Sequence, residues 1–564
     1  METFGAGCAY VVCIGVEMKQ RIPKILGNLM FLVGIFNVFA NIFRPFRNAA
    51  HRIDSYTLIY VNSTAFSTSL ISGLLLILIS RGIIRRKRRA WAVAVILLAL
   101  GVMVEAFRFH IHIEHVTVNL TALILLVIFR REFYAKSDPT SKRHPIVSIL
   151  ISFATFFTIG TLLLLFRHHD AIVGNPSFGE ILATVLSGMV GISGPVQFAS
   201  DRVTDTVFTT LLIIGIATVT IPIVLFFRKI TPVNRISLEE AVKIKEVVLK
   251  NPQSDSLSYF STRLDKSVIW SDSGTAGQSY RVERGVLLVS GDPFGHFSLW
   301  SEIVDKLIRL ADEYAWTLAV MGCSERAGEL WIKKTGMTAL HIGDEAIIES
   351  SEFSLEGPNM KNVREMINKT KRLGYAVEVI RATDIQPEQR ELLSNKAIEW
   401  RYGQKERGFS MALDRFLNPI DDRELILLAR KEGELMALMT FSPWGAEGIS
   451  LDRMLRSKDA DTGVNELLIT SVVAYASEHK IKKISLNFAA FRSIFEEAER
   501  ISAGPVLRLK RNFLRYISKW VQVESLYRFN AKFQPDWNPR YLIYPGPTKL
   551  IEIGIAVGKA EGFI

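Results

Sequence analysis

Cysteine is almost absent: Cys8, Cys13 and Cys323 are the only three in 564 residues. Two fall in an apolar N-terminal stretch and the third stands alone. Neither a disulfide framework nor a metal-ligand spacing can be built from them, which suits a reducing compartment. No glycine-rich phosphate loop of Rossmann or Walker kind is present, and Gly274, Gly277 and Gly285 are scattered turn glycines. GxSxG, HExxH and paired CxxC motifs are missing too, so the common hydrolase, NTPase and metalloenzyme signatures are excluded. The apolar stretch that ends at Glu17 is neither a cleavable signal peptide nor a full membrane span. Acidic charge is scarce at the start: residues 1–230 hold 22 Lys/Arg against 11 Asp/Glu. The whole chain carries a net charge of +12, so residues 231–564 are close to neutral.

What is present is a chain of two characters. Apolar residues make up 49% and mean hydropathy is +0.22, too apolar for an average soluble enzyme and too polar for a pure transporter. Six hydrophobic segments in residues 1–230, at about 25–43, 57–80, 90–108, 116–130, 146–166 and 207–227, are read as membrane spans. Arg85, Arg86, Lys87, Arg88 and Arg89 fill one loop, and Arg130, Arg131, Lys136, Lys142 and Arg143 another. By the positive-inside rule both loops are cytoplasmic, and so are both termini, although Arg44, Arg47 and Arg52 run against the trend. The basic excess is thereby a topogenic signal first, with anionic headgroups as a further partner. No span carries a string of charges, so transport is unsupported. His110, His112, Glu114 and His115 read as an interfacial turn before a metal site.

From Pro232 the pattern becomes α/β. Strand-like runs at Val286–Ser290, Thr317–Met321, Ala376–Ile380, Leu435–Phe441 and Ile484–Asn487 alternate with amphipathic helices at 299–314, 360–373, 386–401 and 463–478. The domains are set at 1–230 (membrane helices), 231–250 (linker), 251–546 (soluble α/β domain) and 547–564 (tail). Ser290-Gly291-Asp292-Pro293 follows a strand as a tight turn. Gly408-Phe409-Ser410 follows Lys405, Glu406 and Arg407 as a loop beside a site. In Ile449–Arg456, Asp452 and its neighbouring arginines lie at a strand end, where α/β folds place function; a surface ion pair is the plain alternative. Arg508, Arg511, Arg515 and Lys519 line one helix face with no acid between them, which fits an anionic membrane surface or an RNA backbone. The mixed cluster Lys361, Arg364, Lys369, Lys371 and Arg372 is a solubilising face.

The strings Ser290-Gly-Asp-Pro, Gly408-Phe-Ser, Ile449-Ser-Leu-Asp452, Leu486-Asn-Phe and Tyr527–Leu542 occur in the order that resembles the C-terminal catalytic domain of the phosphatidylglycerol lysyltransferase (multiple peptide resistance factor) family. The resemblance covers about residues 250–546 and is nearest to actinobacterial, mycobacterial-type members. It implies two tandem GNAT-like acyltransferase subdomains, and transfer of an aminoacyl group, lysine being the commonest, from aminoacyl-tRNA to phosphatidylglycerol. The cationic lipid so formed weakens binding of cationic antimicrobial peptides. An aminoacyl ester is already activated, so no cofactor is implied. Asp452 is expected to act as base or to position the donor ammonium. The family's Asp-x-x-Arg spacing is broken, with Leu455 in the third place; Arg456, or else Arg453, would serve as its partner. Ser290, Asp292, Glu406, Arg407, Asn487, Lys532 and Arg540 are expected to bind substrate, the last two through the lipid phosphate or the tRNA end. Six spans are too few for the family's lipid-flipping module, and a separate synthetase is expected to charge the tRNA. Another membrane acyltransferase acting on a different lipid or on a peptidoglycan precursor is the competing enzyme reading. A membrane scaffold or a transporter with a regulatory domain is the non-enzymatic one.

Overall fold

The structure, a computed structural model, describes residues 22–36, 73–84, 86–106, 113–135, 144–167, 172–192, 194–226, 234–403, 408–490 and 523–562. Two compact units divide the chain near residue 230.

The first unit is helical. Its described helices are 22–36, 73–84, Arg88–Ala106, Ile113–Ile128, His144–Leu162, Phe178–Met189 and Asp201–Phe226. Leu26, Met30, Leu76, Ile79, Ala94, Leu98 and Leu126 form one buried core, and Val185, Met189, Val207 and Leu211 anchor another. Close helix contact needs small residues: a Cβ on Gly215 would lie 1.9 Å from the Met189 carbonyl oxygen. Helix Phe178–Met189 is absent from the six expected segments, being short and amphipathic; Ser177 and Glu180 cap it reciprocally. Large apolar side chains including Ile96, Met103, Ile124, Ile128, Leu150 and Ile151 face outward. Among the described residues, no helix is long and apolar enough to cross a membrane. His110 and His112 lie outside the described residues.

The second unit is built on one twelve-stranded sheet. Its strands are β1 (Ser267–Trp270), β2 (Ala276–Glu283), β3 (Val286–Ser290), β4 (Phe294–Gly295), β5 (Thr317–Cys323), β6 (Thr338–Glu349), β7 (Tyr375–Arg381), β8 (Leu425–Lys431), β9 (Glu434–Trp444), β10 (Gly448–Arg456), β11 (Lys483–Ala490) and β12 (Asp536–Tyr544). Their order is β1-β2-β3-β5-β12-β6-β11-β10-β9-β8-β7, with β4 beside β2. β3 pairs with β5 and β10 with β11 in parallel; the other neighbours are antiparallel. The topology is doubled. Each half has antiparallel strands, a crossover helix to a parallel strand, a further helix and a last strand. The last strands are exchanged: β12 of the second half lies beside β5 of the first, and β6 of the first lies beside β11 of the second.

Helices cover both faces. They are α1 (Leu238–Lys250), α2 (Trp300–Tyr314), α3 (Glu325–Thr335), α4 (Lys361–Arg372), α5 (Pro387–Glu399), α6 (Val464–Glu478), α7 (Val523–Ala531) and α8 (Leu550–Ala560). In the first half α1 and α8 share a core with β3, while α2 and α3 fill the opposite face. In the second half α4 and α6 pack on one face and α5 on the other. Two boundary expectations are corrected here. Most of 231–250 is no linker: Ser237 caps α1, which buries Ala241, Ile244 and Val248. Nor is 547–564 a loose tail, because Ile553, Ala556, Val557 and Ala560 of α8 recur at helical spacing and are buried in the same core.

Candidate active site

β10 and β11 are paired only over Gly448–Ser450 and Lys483–Ser485. Beyond that point each strand bulges toward its other neighbour, between Leu451 and Arg453 and between Ser485 and Phe488. Asp452 is the extra residue of the first bulge, and bulges re-aim side chains. Asn487, in the second, has a left-handed φ of 67°. The Gly408–Leu413 segment enters this opening. Asn487 Nδ2 donates to the Met411 and Leu451 carbonyls at 2.9 and 3.0 Å, and the Leu413 amide donates to Asp452 Oδ1 at 2.8 Å. Gly408 is needed where it stands: its φ is 110° and a Cβ would come within 2.9 Å of the Ala412 Cβ. The first half clamps the segment. Arg263 donates to the Gly408 carbonyl at 2.8 Å, Glu561 accepts from the Phe409 amide at 2.7 Å, and the Lys266 ammonium sits 4.8 Å from the Phe409 ring centre.

The Asp452 side chain is fully enclosed, with Arg453 Nη1 3.5 Å from Oδ2. Arg453 also lies over the Phe416 ring and donates to the Arg415 carbonyl. Arg415 grips Asp421 through two hydrogen bonds of 2.7 and 2.8 Å, and Tyr259 donates to the same carboxylate at 2.9 Å. Glu424, just before β8, is buried here; burial, and then the charge of Asp452, hold its carboxyl well above the usual range. Arg456 does not join this group. It is exposed at the far end of β10, opposite Ala437. Of the two arginines that the shifted family spacing left open, Arg453 is the one that lies against Asp452, and Arg456 is set apart from it beyond the bulge. Glu424 and Lys266 were missed by sequence reading; a single charge flanking an apolar strand is its only signal.

The first half repeats the geometry. Ser290 is the last β3 residue paired with β5, as Ser450 is the last of β10 paired with β11, so Ser290-Gly-Asp292 and Ser450-Leu-Asp452 occupy matching places. Here the polar groups are internally satisfied. Lys266 donates to Ser290 Oγ at 2.8 Å and to the Phe260 carbonyl at 2.9 Å, and burial pushes its ammonium down to about 7. Asp292 accepts from the amide and hydroxyl of Ser324, and burial raises its carboxyl despite Arg540. Arg540, expected to hold phosphate or the tRNA end, is instead a buried hub. Its donors go to Glu345 (Nε at 2.9 Å), Asp255 (2.8 Å) and Ser256 (2.7 Å), and Glu345 in turn accepts from Ser485. Ser290, Asp292 and Arg540 thus form an interior cluster away from solvent. Lys532 is half-exposed and bridges to Glu466 at 2.7 Å. Glu406, Arg407, Arg508, Arg511, Arg515 and Lys519 lie outside the described residues.

Residues 245–544 match the family described as phosphatidylglycerol lysyltransferase, C-terminal. The chain belongs to this family. Residues 18–168 match a second one, the transmembrane region of lysyl-tRNA synthetase. Among curated relatives, the lysylphosphatidylglycerol biosynthesis bifunctional protein LysX of Rhodococcus opacus is 34% identical over 97% of this chain and 49% of its own length. The protein of that name from Mycobacterium avium is 35% identical over 90% of this chain and 44% of its own. The chain spans about half the length of these relatives. Two solved structures share the fold of the second unit. L-PGS from Bacillus licheniformis has a TM-score of 0.51 and 22% identity, covering 59% of this chain and 98% of that one. The C-terminal domain of a putative lysylphosphatidylglycerol synthetase from Agrobacterium fabrum has 0.50 and 20%, covering 58% and 98%.

Proposed function

We propose that this chain is a membrane-held aminoacyltransferase that moves an aminoacyl group, lysyl first, from aminoacyl-tRNA to a hydroxyl of phosphatidylglycerol. The observation that carries the reading is the enclosed Asp452 at the parting of β10 and β11, fixed by the Leu413 amide with Arg453 beside it. The lipid hydroxyl oxygen attacks the ester carbonyl carbon and gives its proton to Asp452. The tetrahedral intermediate collapses, breaking the bond to the terminal ribose oxygen, which takes the proton. Arg453 offsets charge on the carbonyl oxygen as it develops. The ester supplies the driving force, so the chemistry needs no nucleotide and no cofactor.

We read both halves as GNAT-like units, since in each a parallel strand pair ends at a buried Ser-x-Asp. The first unit is placed in the bacterial cell membrane, in support of which stand the transmembrane-region match and the outward-facing apolar residues. The basic loops at 85–89 and 130–143 put both termini and the second unit on the cytoplasmic side. The product, a cationic lipid, would lower the membrane's attraction for cationic peptides.

The test is lipid mass spectrometry of a bacterial host lacking aminoacylated lipids, with the full chain expressed. A new phosphatidylglycerol species heavier by one aminoacyl group is expected. Asp452→Asn and Arg453→Ala should each cut its formation about a hundred-fold or more, whereas Arg456→Ala should stay within about three-fold, as befits a surface charge. Full activity in a membrane-inserted, folded Asp452→Asn protein removes that residue from the mechanism.

A further inference from the structure

The turn that sets Asp452 belongs to both halves. Its side chains Phe409 and Leu413, each 1% exposed, are buried in the core that α1, β3 and α8 form in the first half. Its backbone reaches the other way: the Leu413 amide donates to Asp452 on β10 of the second half at 2.8 Å. An amide donor favours the ionised form of an enclosed carboxylate and fixes the direction from which it takes a proton. The matching carboxylate is served differently. Asp292 draws its backbone donor from Ser324, just past β5 of its own half. Asp452 draws its donor from a turn whose grip lies in the opposite half.

That grip is made by charged side chains on backbone groups. Arg263 Nη1 donates to the Gly408 carbonyl at 2.8 Å and to the Ala412 carbonyl at 3.3 Å, spanning the turn that the Ala412 amide closes on Gly408. Glu561, at the C-terminal end of α8, accepts from the Phe409 amide at 2.7 Å and from the Ser410 amide as well. Arg263 is itself held. It pairs with Asp265 through two hydrogen bonds, Arg281 of β2 joins Asp265 to Glu283, and Lys559 of α8 closes on Glu283 at 2.5 Å. A connected network of this kind fixes its members more firmly than separate pairs would. Glu561 also lies beyond residues 245–544, the stretch that the family match covers.

We propose that the first half serves the reaction as the holder of this turn, with Glu561 and Arg263 the positioning residues that act on Asp452 through the Leu413 amide. The inference rests on the aminoacyl-transfer reading, and it gives a role to the half whose own Ser-x-Asp is satisfied internally. Removing the Glu561 acceptor lets the turn shift, and Asp452 loses the fixed direction of its donor. Proton transfer slows, while substrate binding is left alone.

The first experiment uses full-length protein in phosphatidylglycerol nanodiscs with lysyl-tRNA as donor. Glu561→Ala should lower kcat roughly ten- to a hundred-fold and leave KM for both substrates within about two-fold. Glu561→Gln still offers an oxygen to the Phe409 amide and should restore most of kcat. Arg263→Met should act in the same sense, without adding to the effect of Glu561→Ala, since both work through one turn. Leu307→Ala, in the core on the opposite face of the sheet, is the control: it should lower Tm and keep kcat. The second measurement needs no turnover. Hydrogen exchange over 408–413 should quicken in Glu561→Ala by local opening and stay at the wild-type rate in Leu307→Ala. Wild-type kcat in Glu561→Ala, an equal fall in Leu307→Ala, or a Gln variant as poor as Ala overturns the proposal. A wild type that forms no aminoacyl lipid but shows the expected exchange pattern would instead defeat the proposed function and leave the first half's grip on the turn standing.

Discussion

Replacing Arg540 by Met tests whether this residue is a substrate ligand or the pin that joins the halves. The guanidinium is 3% exposed and hydrogen-bonds Glu345, Asp255 and Ser256, from β6 and the segment before β1. Glu345 is fully buried, so the substitution strands a carboxylate in the middle of the sheet. Breaking a buried pair by removing one partner costs about 3–5 kcal/mol. For a unit of this size each kcal/mol moves Tm by roughly 1.5 °C, so a fall of roughly 4–7 °C is expected. Scanning calorimetry of the full chain in detergent should show it in the transition of the second unit. A double variant, Arg540→Met with Glu345→Gln, should recover part of the loss, because the stranded charge is then gone. Should Arg540→Met keep its Tm within about 2 °C while donor or lipid KM rises, the hub reading is refuted and the residue returns to the substrate.

Two other outcomes follow from buried groups. Asn487→Ala should destabilise the second unit by about 2–4 kcal/mol, from two lost hydrogen bonds plus left-handed strain. Asn487→Gly should be milder by about 1 kcal/mol, since glycine tolerates that φ; denaturant midpoints of the two variants check the order. For Lys266 the sign is set by a folded value of about 7 against an ordinary 10.5. Between those limits the unfolded chain holds a proton that the folded one does not, so this group makes stability rise with pH across the window. Below about 7 the full cost of burying the charge remains. Lys266→Met should lack that rise, and the difference between wild-type and variant Tm from pH 6 to 9 measures it; parallel curves would show that Lys266 is not forced neutral.

Local order in this chain was written in its periodicities. Val286–Ser290 coincides with β3, and the expected helices at 299–314, 360–373 and 463–478 lie within a residue or so of α2, α4 and α6. Such runs are legible because alternation and the 3.6-residue repeat reflect burial of one face, a short-range property. The strings around Asp452 and Asn487 were likewise readable, and the structure brings them together at one strand parting. Long-range pairing was not readable. The exchange of β6 and β12 depends on partners from opposite halves, and Arg540 meets carboxylates 195 and 285 positions away. One bulged residue was enough to separate Asp452 from Arg456 and set it against Arg453, since a single insertion turns every later side chain to the other face. Sequence alone thus determined which segments form strands and helices, and it marked the strings that meet at the β10–β11 parting. Only the tertiary structure decided which charges are spent inside the sheet and which remain for a substrate, because burial and pairing are properties of neighbours in space.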